Sequence, residues 1–165
     1  MKSIGIRVDP TEISYVIMEL QDEDGAFKFS TEKLILPRAF DNDIPKQLSF
    51  IRTTLFSIIC EYKIQYAGLK TTEGVAQNPN VFRMNIEGVI QEVFADSTIV
   101  SYFTGTYNSI AARINEDVSD IREGCKGENN ILRVDNWDQL NQKHRECILT
   151  AYASVNLFNG VGNYD

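Results

Sequence analysis

Nucleophilic catalysis through a Ser-His-Asp or Cys-His device would have to use His144, because the chain holds a single histidine. His144 falls among apolar positions of a helical stretch, which suits a packed or half-buried side chain, and no spacing puts a nucleophile beside it. Cys60, Cys125 and Cys147 are far apart and form no Cys-x-x-Cys pair, so the sequence points to neither a disulfide framework nor a structural zinc site. Cys60 and Cys147 fall on apolar stripes and are expected in the core, whereas Cys125, in a Gly-flanked stretch, is the thiol expected to be exposed. The Gly-x-Gly spacing at Gly160-Val161-Gly162 has no helix after it and does not make a phosphate loop. The acidic runs Asp22 to Asp24 and Glu116 to Asp120 suit solvated turns.

The 165 residues, with 43% hydrophobic and 24% charged side chains, predict one globular domain over 1–165. A formal net charge of -7 has the wrong sign for a protein that holds nucleic acid by bulk phosphate attraction. The opening MKSIGIRVDP is charged again after four residues, and no later run reaches the roughly 18 apolar residues of a membrane span. With the separated thiols, this gives the expectation of a soluble, unexported protein in a reducing cytoplasm, without a membrane partner.

The elements that must position any site can be read from periodicity. Ile4, Ile6 and Val8 alternate with Gly5, Arg7 and Asp9 as in a strand, and Asp9-Pro10-Thr11 makes a turn into a second strand, Ile13 to Leu20. The polar turn Gln21 to Gly25 leads to a third strand, Phe27 to Leu36, completing an antiparallel start. Ile44, Leu48, Ile51, Leu55, Ile58, Ile59 and Tyr62 form a helical stripe, with Asp43 as N-cap and Pro45 in the first turn. Tyr66 to Thr71 predicts a buried strand, and a polar loop through Asn78-Pro79-Asn80 leads to a helix carrying Phe82, Ile86, Val89, Ile90 and Val93. Thr98 to Tyr102 predicts a fifth strand, followed by a short helical piece from Ser109 to Ile114. The stretch 115–136 is expected to be an exposed loop or insertion. Asp135-Asn136 would start a last helix with Leu140, His144, Cys147, Ile148, Ala151, Tyr152 and Val155 on one side, and 159–165 should fray. This order describes a three-layer α/β domain with a mixed five-stranded sheet.

That order, with the opening Ile4-Gly5-Ile6-Arg7-Val8-Asp9-Pro10, the segment Leu69 to Gly74 and the terminal Arg145 to Ala153, resembles the ribonuclease H-like fold, in particular its branch of RuvC-type Holliday-junction resolvases. The same pieces are similar, nearly end to end, to a group of small bacterial proteins that supplies a fold but no activity. The nuclease resemblance implies carboxylates on the first strand, at the end of the fourth and on the last helix, holding Mg²⁺ or Mn²⁺ for phosphodiester cleavage.

The sequence departs from that pattern. Mid-strand 1 offers Arg7, and Asp9 replaces it only if the register shifts by two; the end of strand 4 offers Lys70 or Thr71, with Glu73 a few residues late. Glu146 fits on the last helix, and Asp138 lies about two turns earlier. Each acid also has a plain role: Asp9 opens a turn before Pro10, Glu73 is a solvated loop residue, and Glu146 is exposed or bridges elements. Arg7 and Lys70 would repel a metal and could instead receive an anion, with Lys63, Arg83 and Arg113 converging nearby if the fold is right. The leading expectation is a catalytically degenerate domain that binds protein or assembles, in a nucleic-acid-processing complex, without a cofactor. The alternative is a Mg²⁺- or Mn²⁺-dependent nuclease using Asp9, Glu73 and Glu146. Uncovered sheet edges would make a protein partner or a homo-oligomer expected.

Overall fold

The computed structural model describes residues 1–21, 26–73 and 80–156. Residues 22–25, 74–79 and 157–165 lie outside these, and with them most of the turn before the third strand, the Asn78-Pro79 part of the polar loop and the tail with Gly160-Val161-Gly162. Strands β1 (Lys2–Val8), β2 (Glu12–Leu20), β3 (Phe27–Ile35), β4 (Tyr66–Lys70) and β5 (Ser101–Gly105) form one sheet in the order β3-β2-β1-β4-β5. The first three strands pair antiparallel, and β4 and β5 continue parallel to β1, so the expected mixed five-stranded sheet is present.

The strand period of two sorts β1 between two cores. Ile4, Ile6 and Val8 enter the core under α1 (Ile44–Tyr62) and α2 (Val81–Asp96), where Ile51, Leu55, Ile59, Ile86 and Ile90 are fully buried. Each such side chain stabilises the fold by roughly 1.5–3 kcal/mol. Local chemistry starts both helices: Asp43 accepts from the Lys46 amide at 3.1 Å with Pro45 in the first turn, as expected, and Asn80, at the end of the polar loop, accepts from the Arg83 amide at 2.9 Å.

The other face of β1 carries Ser3, Gly5 and Arg7, and α5 (Gln142–Val155) lies across it. Two glycines permit that approach. A Cβ on Gly5 would stand 2.0 Å from the Cys147 carbonyl oxygen, and one on Gly68 would stand 2.6 Å from Thr150 Cγ2. With α3 (Tyr107–Ile114) and α4 (Val118–Lys126) packed on its outer side, α5 is enclosed from Arg145 to Ala151, not only along one stripe. No helix among the described residues is long and apolar enough to cross a membrane.

The stretch 115–136 differs from the expected exposed loop. It contains α4, whose Ile121, Gly124 and Cys125 are buried and whose C-terminus is closed by Gly127 in a left-handed conformation, φ +91°. Val118, Ile121 and Cys125 make a three-residue stripe at helical spacing, too short to stand out beside the acidic residues around it. The last helix begins at Gln142, where Asn141 accepts from the His144 amide at 2.8 Å; the segment after Asp135-Asn136 is instead a single 3₁₀ turn, Trp137–Gln139. The fifth strand also lies later than the β-branched run suggested, at Ser101–Gly105. The cysteines exchange places: Cys60 is exposed and Cys125 is 1% exposed, because Cys60 faces away from the α1 core and Cys125 lies on the buried face of α4.

Candidate functional site

Register brings the two basic candidates together. Arg7 pairs with Lys70 across the parallel β1–β4 ladder and Lys70 pairs with Gly105 of β5, so both cations stand at the C-terminal ends of parallel strands on the α5 side. Crevices beyond such strand ends are where open α/β sheets place ligands. A cavity of about 370 Å³ opens there, lined by Arg7, Lys70, Glu73 and Arg83, with Tyr107, Gln142 and Glu146 completing its wall.

Asp9, Glu73 and Glu146 are each held by a cation. Asp9 lies just past β1, in the turn closed by its amide on the Glu12 carbonyl at 2.9 Å, and the strand register does not shift to bring it into the ladder. Its carboxylate contacts Arg7 Nη1 and Lys143 Nζ, both at 2.9 Å. Glu146 is 2% exposed, so of its two expected plain roles it takes the bridging one, between elements; the close approach of α5 over Gly5 puts it inside. Its Oε2 is ion-paired with Arg7 Nε, while Oε1 accepts from the Tyr107 hydroxyl and from Gln142 Nε2, the latter at 3.0 Å. Glu73 is more than a solvated loop residue: Oε1 contacts Lys70 Nζ at 3.0 Å and accepts the Tyr107 amide at 3.0 Å, at the start of α3.

Burial raises the carboxyl pKa of Glu73, but the Tyr107 amide and Lys70 outweigh it and hold the group below its ordinary value. Lys143 likewise holds Glu12 down, through a contact of 2.6 Å, and the Glu12 and Asp9 carboxylates raise Lys143. Burial, reinforced by the bond to Glu146, pushes the Tyr107 hydroxyl far above its ordinary value, so it stays a proton donor. Lys70 Nζ lies 4.1 Å from the centre of the Tyr107 ring and donates to the Thr71 carbonyl at 2.8 Å.

Other candidates lie elsewhere. Arg83 lines the cavity but pairs with Glu87 at 3.0 Å; Lys63 caps α1 beside Gln65 at the opposite end of the sheet, and Arg113 stacks on Phe103 at 4.1 Å. Asp138 is exposed in the turn before α5. His144 is half-buried, and burial lowers its pKa. Tyr107, Gln142 and Lys143 were not foreseen. Gln142 and Glu146 do share a helix face by their four-residue spacing, which was a usable signal; Tyr107 reaches the site only through the packing of α3 on α5.

This donor set does not fit a Mg²⁺ or Mn²⁺ centre. Such ions take an octahedral shell of oxygens at roughly 2.1 Å anchored by one or two free carboxylates, and here Arg7 stands between Asp9 and Glu146 while Lys70 occupies the side of Glu73. Among the described residues no three His, Cys, Asp or Glu side chains are grouped to hold a metal ion. Arg7 and Lys70, the expected anion pair, are likewise already matched by carboxylates.

The backbone is similar to that of RuvC from Thermus thermophilus, with a TM-score of 0.70 at 8% identity over 96% of each chain. It is similar as well to T. thermophilus RuvC in complex with a Holliday junction substrate, with a TM-score of 0.67 at 10% identity, again over 96% of each chain. No protein-family model matches the sequence, and no curated protein does. At this level of identity the likeness is one of fold: the chain has the RuvC-like form of the ribonuclease H-like architecture.

Proposed function

We propose that this chain is a catalytically inactive RuvC-like domain that serves as a protein-binding or assembly subunit in a nucleic-acid-processing complex. The observation that supports it is the Arg7 guanidinium ion-paired with buried Glu146 and with Asp9, in the middle of the site between parallel strand ends and α5. An internal cation neutralises the carboxylates that a nuclease would spend on metals. The nucleic-acid context is drawn from the RuvC fold, and the subunit role from a charge of -7 that disfavours holding phosphates alone.

The test is cleavage of four-way junction, duplex, single-stranded DNA and RNA–DNA hybrid by the purified chain with Mg²⁺ or Mn²⁺. No product above the metal-only control is expected. Robust metal-dependent cleavage that disappears in Glu146→Gln would overturn the proposal in favour of the metal-dependent nuclease, whose other acids, Asp9 and Glu73, would then each have to abolish cleavage when changed to the amide. A second reading, an anion site at Arg7 and Lys70, is favoured by the cavity both line together with Arg83. It requires saturable phosphate binding that Arg7→Ala and Lys70→Ala each abolish, and unchanged binding in either variant rejects it.

A further inference from the structure

Among the described residues, β3 has a sheet neighbour only in β2, and its nine residues contain no proline that would blunt the edge. The direction of its free backbone groups follows from the hairpin. The Gln21 amide donates to the Ala26 carbonyl at 2.9 Å, so Ala26 is turned toward β2. Antiparallel neighbours alternate between bonded and non-bonded pairs. In the β2–β3 register, Lys28, Ser30, Glu32 and Leu34 therefore bond inward, while Phe27, Phe29, Thr31 and Lys33 turn their N–H and C=O groups outward along the open edge.

The side chains of Lys28, Ser30 and Glu32 stand exposed on one face of this strand. Leu34 on the same face is buried in the α1 core, which fixes that face. Lys28 and Glu32 make no ion pair among the described residues; Lys33, on the opposite face, is engaged with Glu12 at 3.4 Å. Opposite charges four residues apart on one face of an edge strand are self-complementary under a two-fold axis midway between them.

We propose that β3 pairs antiparallel with β3 of a second copy of this chain, with Ser30 on the two-fold axis. In that register Lys28 of each chain faces Glu32 of the partner subunit, Phe29 faces the partner's Thr31, and Phe27 faces the partner's Lys33. The outward residues meet as hydrogen-bonded pairs, giving roughly eight backbone bonds across the axis. Ser30 and the Lys28–Glu32 pairs then fall at non-bonded positions, where facing Cα atoms are only about 4.5 Å apart and side chains interact most strongly. Neighbouring registers lose this match. An axis at Phe29 sets Lys28 against Ser30, one at Thr31 sets Lys28 against Leu34, one at Lys28 faces lysine with lysine, and one at Glu32 faces glutamate with glutamate. The pairing extends the sheet across two molecules and leaves the Arg7 cavity open, so it stands or falls independently of cleavage.

Sedimentation equilibrium of the full chain over a concentration series tests it. A dimer is expected whose Kd rises at least tenfold in Lys28→Glu and in Glu32→Lys, and returns toward the original value in the double charge swap. In a Cys60→Ser background, Ser30→Cys should oxidise to a disulfide-linked dimer, because its two copies meet on the axis, and Lys28→Cys should not. A monomer at all concentrations overturns the proposal. So does a dimer that neither single charge variant weakens, a double swap that fails to restore it, or equal cross-linking at both cysteine positions.

Discussion

Replacing Arg7 by methionine removes the counter-charge of Glu146 while keeping much of the side-chain volume. The Glu146 side chain is 2% exposed and that of Arg7 20%, so water cannot substitute fully for the guanidinium. Glu146 would keep the Tyr107 hydroxyl and Gln142, both neutral donors, and Asp9 would keep Lys143. Breaking one side of a buried pair costs about 3–5 kcal/mol. The partial exposure of Arg7 places this case at the lower end, about 3 kcal/mol. For a chain of this size that lowers Tm by roughly 6–12 °C. Glu146→Gln added to Arg7→Met leaves an amide that Tyr107 and Gln142 can still satisfy, so the double variant should regain about 1–2 kcal/mol over Arg7→Met alone. Urea denaturation with unchanged m-values measures all three variants. An Arg7→Met loss below about 0.5 kcal/mol, or strictly additive single-variant losses, would refute the buried-pair argument.

Gly5→Ala should destabilise the fold by about 3 kcal/mol or more, since its Cβ would meet backbone atoms of Cys147 and Ala151 at 2.0 and 2.5 Å. Gly88→Ala, on exposed α2 surface with nothing within 4 Å, should gain about 0.5–1 kcal/mol, and equal effects in the two denaturation curves would refute the packing account. His144 is held below its ordinary value of 6.5 by burial and by Lys33 and Lys143, against the opposing pull of Glu12 and Glu32. The unfolded chain thus takes up this proton first: the stability contribution is full above about pH 6.5 and declines as pH falls through that region. His144→Gln should flatten this slope, and an unchanged slope in urea midpoints between about pH 5 and 7 would show that another group carries it. The depressed carboxyls of Glu12 and Glu73 contribute stability above their ordinary value of 4.5 that is lost as pH falls below it. In native alkylation followed by mass spectrometry, Cys60 should react first. Cys125, its thiol pushed up to about 12 by burial and the charge of Glu146, and buried Cys147 should react only on unfolding; early labelling of Cys125 would contradict its placement.

Features written in nearest-neighbour chemistry were legible in the sequence. Asp43 and Pro45 start α1, and the alternation of Ile4, Ile6 and Val8 sorts β1 between two faces, which also puts Arg7 on the face opposite these, near the C-terminal end of the strand and not in its middle. The ribonuclease H-like resemblance implies Lys70 or Thr71 beside it, and the parallel register pairs Lys70 with Arg7. Features set by contact between distant elements were not. Whether Glu146 is exposed or bridges elements is open in the sequence until Gly5 and Gly68 draw α5 onto the sheet. Arg145 has no charged partner in the sequence pattern to announce its burial. It is satisfied by the carbonyls of Cys125, Lys126 and Trp137 at 2.8, 3.0 and 3.2 Å, two of them at the C-terminal end of α4, where the helix dipole is negative. The sequence of α4 itself reads as a loop, so nothing in it marks a docking surface for Arg145.

The net charge of -7 therefore says little about the cleft. At the strand ends Arg7, Lys70 and Lys143 answer Asp9, Glu12, Glu73 and Glu146 across short contacts, whereas much of the remaining acidity lies on exposed surface. A carboxylate cluster kept for a divalent ion repels itself until the ion arrives. Here Arg7, Lys70 and Lys143 counter three of the four negative charges from within the chain, and Arg7 and Lys70 lie on neighbouring strands at matched register, so the same ladder that builds the sheet also supplies two of the cations. Removing either lysine or arginine would unbalance a folded site before it created a metal site, because the acids they hold are supported by Tyr107, Gln142 and the α3 amide, all neutral donors.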